Sequence, residues 1–200
     1  MKLPRDGDVE LIEKVFDPVT AQQWFDRLAD STDWQQERLR IMGRWVAVPR
    51  LTAWYGAHGY RYSGIDHPPR PLTDDLAELL RIAECLAGTT LNSVLANLYR
   101  DGRDGMGWHA DDEPELGPDP VIVSISFGGT RRFVMKHRHD RALKCECELD
   151  SGSCLVMRGT TQRYWLHRIA RTTRPVAPRI NLTFRTILPS AVRRADQPAS

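Results

Sequence analysis

The segment Arg179-Ile180-Asn181-Leu182-Thr183-Phe184-Arg185 decides the fold class. Side chains alternate across a strand, so Ile180, Leu182 and Phe184 share one face while Arg179, Asn181, Thr183 and Arg185 share the other. A wholly apolar face means that this strand covers a core. The opposite face presents two guanidiniums about 20 Å apart along the strand, at a rise of ~3.3 Å per residue. That face is either wet or satisfied by anions, because an unpartnered buried guanidinium is costly. In the second case Arg179 grips a carboxylate of a small dicarboxylic acid and Asn181 assists it. Asn97-Leu98-Tyr99 repeats the pattern, with both polar groups on one face.

Short strands are expected around this one, over Val94 to Tyr99, Val121 to Phe127, Arg132 to Lys136, Ala142 to Leu149, Ser153 to Met157 and Ile180 to Ile187. Upstream, Pro18 to Leu28 reads as an amphipathic helix with Val19, Trp24, Phe25 and Leu28 on its apolar side. Thr73 to Leu86 is a second helix, with a threonine cap and acidic residues behind it. Trp34 to Val48 alternates as a hairpin does, with Gly43 near the turn. Two helices followed by many strands indicate an α+β chain dominated by a sandwich or barrel. One domain over residues 1–188, followed by a flexible polar tail over 189–200, is the expected organisation.

Pro49 to Gly56 and Tyr60 to Gly64 combine arginine with Trp54, Tyr55, Tyr60 and Tyr62. This composition suits either a lid that offers stacking faces to bases or strand edges with buried rings. Met42 and Ile41, at the hairpin turn, are packed under a neighbour or form a wedge for a base stack.

Composition excludes several classes. No apolar run can span a bilayer, the polar start is not a secretory signal, and a cytoplasmic location is expected. The four cysteines form no Cys-x-x-Cys pair, so they read as free thiols. A net charge of +2 does not by itself argue for nucleic acid. However, Arg158 to Arg185 holds seven arginines and no acid, which is either a solvated basic face or a surface that meets phosphates. His137 and His139, within a charged run, read as a solvated hairpin.

The chemistry is carried by Trp108-His109-Ala110-Asp111-Asp112-Glu113. His109 and Asp111, two residues apart on extended backbone, can reach one point. With a third ligand they make a 2-His-1-carboxylate triad that leaves positions open on a ferrous ion. His167 is the candidate, because a sandwich brings remote strands together at its mouth and the residue has apolar neighbours.

Taken together, these motifs resemble the AlkB family of Fe(II)/2-oxoglutarate-dependent dioxygenases, in the same order from about Gly43 to Leu188. The likeness includes Pro49-Arg50-Leu51-Thr52-Ala53-Trp54-Tyr55-Gly56 and Ser124-Ile125-Ser126-Phe127-Gly128. It is greatest to the branch of nuclear DNA-repair homologues in animals and their bacterial relatives. The resemblance implies a double-stranded β-helix (jelly roll) core with two N-terminal helices packed on it. It implies Fe(II) held by His109, Asp111 and His167, and 2-oxoglutarate held by Asn97, Tyr99, Arg179, Asn181 and Arg185. O₂ is the oxidant. Asp112 and Glu113 would help recognise a damaged base, and the stretch with Trp54, Tyr55, Tyr60 and Tyr62 would be the nucleotide-recognition lid. Met42 stands where a duplex-preferring relative carries an intercalating aromatic.

The implied function is oxidative demethylation of N-alkylated bases such as 1-methyladenine and 3-methylcytosine in DNA or RNA, by a monomer with no membrane partner. An oxygenase acting on protein or lipid, and a non-catalytic reader of methylated nucleic acid, are the alternatives. The intact triad and arginine strand count against a reader.

Overall fold

The computed structural model describes residues 2–41, 43–62 and 65–188; Met42 and the tail 189–200 lie outside the described residues. In chain order the first half runs β1 (Asp8–Ile12), α1 (Pro18–Ser31), β2 (Arg38–Ile41), β3 (Arg44–Ala47), β4 (Leu51–Gly56), β5 (Tyr60–Tyr62), β6 (Ile65–His67) and α2 (Asp74–Ala87). The second half runs β7 (Ser93–Tyr99), β8 (Met106–His109), β9 (Ile122–Gly128), β10 (Arg131–His137), β11 (Lys144–Leu149), β12 (Cys154–Arg158), α3 (Thr161–Tyr164), β13 (Trp165–Ile169) and β14 (Arg179–Arg185). A single 3₁₀ turn, Pro114–Leu116, follows β8.

Six strands form the larger sheet in the order β1-β12-β9-β14-β7-β4, and four form the smaller in the order β11-β10-β13-β8. All their pairings are antiparallel. The fold is mainly β, two facing antiparallel sheets of jelly-roll type with helices outside. β14 lies in the interior of the larger sheet, between β9 and β7. Its alternation works as the sequence indicates. Ile180, Leu182 and Phe184 are buried towards the helices, together with Trp24 and Leu28 of α1 and Leu76 and Leu79 of α2. A second core, with Leu95, Tyr99, Phe133, Met135, Met157 and Trp165, fills the space between the sheets.

The helices start and stop where their caps dictate. The Asp17 carboxylate accepts from the backbone N–H groups of Val19 and Thr20, and Pro18 opens α1. This helix runs to Ser31, one turn beyond the expected Leu28, and Val19 in its first turn faces solvent, not the core. The Thr73 hydroxyl accepts from Leu76 N–H to cap α2, and Gly88 ends it at φ 67°, in the left-handed region.

Leu51–Gly56 takes the second of its two readings, a strand with buried rings: it is β4, at the edge of the larger sheet, and pairs residue for residue with β7. β1 has five residues and little local signal, and is stabilised by pairing with β12 far along the chain. His137 is buried, not solvated. Its Nε2 lies 3.2 Å from Asp6 Oδ2, and its ring stacks on Tyr164 and meets Trp165 edge-on.

Replacing Leu182 by Ala leaves a cavity beneath α1 and α2, so unfolding free energy should fall by about 2–5 kcal/mol in urea titration. Val19→Ala, on the same helical layer but exposed, should change it by no more than about 0.5 kcal/mol.

Candidate active site

β8 and β13 are neighbours in the smaller sheet, and their register sets His109 opposite His167. Close approach of the flanking loops makes this pairing possible. A Cβ on Gly102 would stand 2.4 Å from the Thr172 carbonyl oxygen, and one on Gly105 would stand 2.8 Å from that of Ile169. The register shifts between His167 and Ile169, an irregularity that re-aims a side chain at the sheet rim. Asp111 lies just beyond β8. The ligand atoms of His109, Asp111 and His167 then lie within 4.8 Å of one another.

His109 and Asp111 are each oriented by a neighbour. His109 Nδ1 lies 2.9 Å from the Gly107 carbonyl oxygen, which selects the tautomer with the proton on Nδ1 and leaves Nε2 for a metal. Asp111 donates its backbone N–H to Gln162 Oε1 at 3.0 Å. Its Oδ1 lies 3.2 Å from Arg185 Nη1, and its Oδ2 lies 3.5 Å from His167 Nε2. Burial pushes the Asp111 carboxyl upward, but the Arg185 guanidinium beside it holds the group below the usual carboxylate range. Burial, with His109 as a second cause, pushes His167 down to about 3, and burial lowers His109 as well. The cluster therefore offers two neutral imidazoles and one carboxylate, the protonation states a divalent metal needs.

Behind the cluster lies a cavity of about 450 Å³ of atom-free space including its mouth, lined among others by Asn97, Tyr99, Arg179, Asn181, Thr183 and Arg185. Arg179 is fully buried. Its Nη2 donates to Ser126 Oγ at 2.8 Å, whereas Nε and Nη1 have no acceptor among the described residues. Burial pushes its pKa down to about 10 against the pull of Tyr99, so it stays a cation at neutral pH. A buried cation with unused donors fits a carboxylate. Tyr99 is held between guanidiniums, with Arg179 Cζ at 5.3 Å and Arg131 Cζ at 5.5 Å from its ring centre. Asn181 Nδ2 donates to Ser124 Oγ at 2.8 Å, and Arg50 Nε donates to Asn97 Oδ1 at 2.7 Å.

The structure thus brings together His109, Asp111, His167, Asn97, Tyr99, Arg179, Asn181 and Arg185. It displaces two of the aromatics. Tyr55 is 2% exposed and packs on the helix side of β4 under Arg70, so it cannot stack on a base at the cavity mouth. Trp54 points the other way, but it is buried between the sheets and donates to the His58 carbonyl oxygen. Tyr60 and Tyr62 belong to β5, which pairs with β6. Asp112 is half exposed beside the cluster and pairs with Arg138, and Glu113 opens the 3₁₀ turn.

Arg50, Ser124, Ser126, Arg131, Arg138 and Gln162 carry no role in the sequence reading, although Arg50, Ser124 and Ser126 stand within its motifs. Ser124-Ile125-Ser126 did carry a signal, a polar period of two inside an apolar strand. The other four meet their partners only through distant pairing.

The imidazole shifts fix a pH dependence. Above its ordinary value of 6.5, His167 is neutral in both folded and unfolded chains. As pH falls, the unfolded chain takes up a proton that the folded chain refuses down to about 3, so stability declines across that window. The metal-free protein should lose on the order of 2–3 kcal/mol between about pH 6.5 and 4.5 from this residue. Asp111, held low by Arg185, adds to the loss below the ordinary carboxylate range. Urea midpoints measured against pH should show the decline, with a shallower slope for His167→Gln.

Comparison with known proteins agrees with this geometry. The family model for the 2OG-Fe(II) oxygenase superfamily matches residues 8–185. The chain is 39% identical to human alpha-ketoglutarate-dependent dioxygenase alkB homolog 3, over 87% of this chain and 64% of that protein. It is 40% identical to mouse DNA oxidative demethylase ALKBH2, over 76% of this chain and 68% of the relative. The chain thus spans a little under two thirds of the first of these relatives. The structure of OsALKBH1 shares the fold, with a TM-score of 0.63 at 17% identity over 92% of this chain and 99% of that one. The chain therefore belongs to the 2OG-Fe(II) oxygenase superfamily, which uses Fe(II), 2-oxoglutarate and O₂, and within it to the AlkB family.

Proposed function

We propose that this protein removes alkyl groups oxidatively from the nitrogens of nucleic-acid bases, with 1-methyladenine and 3-methylcytosine as the leading substrates. The observation that carries the reading is one cavity that joins the His109, Asp111 and His167 cluster to a buried Arg179 with unused donors. The relatives' printed names, one of them a DNA oxidative demethylase, support the substrate class.

In this reading His109, Asp111 and His167 hold the ferrous ion. Arg179 takes the distal carboxylate of 2-oxoglutarate through Nε and Nη1, Tyr99 and Asn181 flank it, and Asn97 and Arg185 complete the pocket. When bound, iron with 2-oxoglutarate and O₂ supplies hydroxylation of an unactivated C–H bond, with succinate and CO₂ as co-products. The residues do the positioning. Arg185 keeps Asp111 ionised, Gln162 fixes its backbone, and the Gly107 carbonyl keeps His109 in one tautomer. A hydroxylated N-methyl group then leaves as formaldehyde, restoring the base.

The target base must leave its stack to reach the cluster, and a lesion that pairs poorly costs less to extrude. Asp112 and Glu113, next to the ligands, are proposed to face that base. Tyr60 and Tyr62 remain the aromatics proposed for the lid, and Met42 the hairpin tip. DNA and RNA are both candidate polymers.

Anaerobic reconstitution with Fe(II) and 2-oxoglutarate, followed by air and methylated single- and double-stranded DNA and RNA, should release formaldehyde and succinate together. No methyl loss from any substrate sinks the repair reading, and succinate without it points to another oxygenase substrate. Asp111→Ala should abolish turnover and lower the urea midpoint, because the buried Arg185 charge loses its carboxylate, while the circular dichroism spectrum without denaturant is kept. Arg179→Ala should raise the KM for 2-oxoglutarate roughly 10- to 100-fold, the worth of charge-assisted hydrogen bonds; an unchanged KM removes Arg179 from the pocket.

A further inference from the structure

Arg138 stands directly after β10 and is anchored there, its backbone N–H donating to the Tyr164 carbonyl oxygen at 2.8 Å. Its Nη2 serves two acceptors, Asp112 Oδ2 at 2.5 Å and the Gln162 carbonyl oxygen at 3.2 Å. Gln162 is in turn buried, with its side chain taking the Asp111 backbone N–H. One guanidinium therefore clasps the residue beside a candidate metal ligand to the helix that positions that ligand. The Asp112 side chain is 51% exposed and that of Arg138 is 30% exposed, so the pair sits at the surface, next in the chain to Asp111, and not in the core. The positive charge of Arg138 is also among the influences felt by His167.

A carboxylate that faces the base, as proposed above for Asp112, favours a cationic substrate, and a guanidinium locked onto it cancels much of that preference. We propose that Arg138 is a specificity-determining residue, whose ion pair with Asp112 limits how strongly the site favours a cationic methylated base over a neutral one. The proposal rests on the demethylase reading above. 1-Methyladenine and 3-methylcytosine carry a positive charge at neutral pH, whereas 3-methylthymine does not, so charge is a discriminant between them. Arg138 acts on the base through Asp112 and does not contact the reacting atoms.

The test uses the reconstituted enzyme and single-stranded oligonucleotides carrying 1-methyladenine or 3-methylthymine. The readouts are the ratio of their kcat/KM values and the ratio of their binding affinities by fluorescence anisotropy. Arg138→Met should raise both ratios about threefold, the scale of a half-exposed ion pair. Arg138→Lys, which keeps the charge, should restore the wild-type ratios. Asp112→Asn should lower the ratios, and in that background Arg138→Met should have no further effect. Equal loss on both bases in Arg138→Met, uncorrected by lysine, would mean that the clasp is only structural and overturns the proposal. So would unchanged ratios. If the wild type turns over neither base, the demethylase reading fails, while the affinity ratio still decides the role of Arg138.

Discussion

The ion pair between Asp111 and Arg185, 3.2 Å apart and almost wholly buried, is the constraint that the rest of the site obeys. Removing either partner leaves a charge in a dry interior, which costs far more than the pair itself contributes. The partners come from opposite sheets. Arg185 ends the inner face of β14 in the larger sheet, and Asp111 follows β8 at the rim of the smaller one. Their contact therefore ties the two sheets together beside the cavity. It also keeps Asp111 ionised beside two imidazoles that burial keeps neutral.

Around that pair the scaffold divides its labour by face. The helix side of the larger sheet is apolar, and α1 and α2 close it. Its inner side carries polar groups in step with the strand period, with Asn97 on β7, Ser124 and Ser126 on β9, and Asn181 and Thr183 on β14. Because β9 and β7 flank β14, one strand's polar face is answered by its neighbours'. A guanidinium as buried as that of Arg179 is tolerable there only because Ser126 and Tyr99 meet part of it and an anion can meet the remainder.

Periodicity made much of this legible. The alternation in Arg179–Arg185 showed both faces of the central strand before any partner was known, and Thr73 with its acidic followers marked the start of α2. The His109-x-Asp111 spacing was readable because its two members share one stretch of backbone; His167 rested on its apolar setting and on order along the chain. What stayed hidden depends on distant contacts. Trp54 and Tyr55 have the composition of a stacking platform, but pairing of β4 with β7 turns their rings into the two cores. His137 sits in a charged run yet is buried, because Asp6, at the far end of the chain, folds back onto it. Gln162 and Arg138 carry no local pattern at all. Their roles exist only once α3 docks against the loop that follows β8.

The charge count of the cavity bears on what it can accept. On its inner face β14 places two buried guanidiniums, Arg179 and Arg185, and Asp111 answers one of them. Arg131 is committed to the carbonyl oxygens of Asp104 and Ala170, and Arg50 donates to Asn97 in the cavity wall. Arg179, at the end of β14 remote from Arg185, keeps buried donors without an acceptor among the described residues. A ligand that satisfies the cavity must therefore carry negative charge at that end and a metal-binding group at the other. A dicarboxylate whose second end is a chelating keto acid has that distribution; a neutral or cationic molecule of the same length does not. In the proposed function the two-faced strand selects its co-substrate by charge, while the loop beyond β8, with Asp112 and its clasp to Arg138, governs the charge presented to the base.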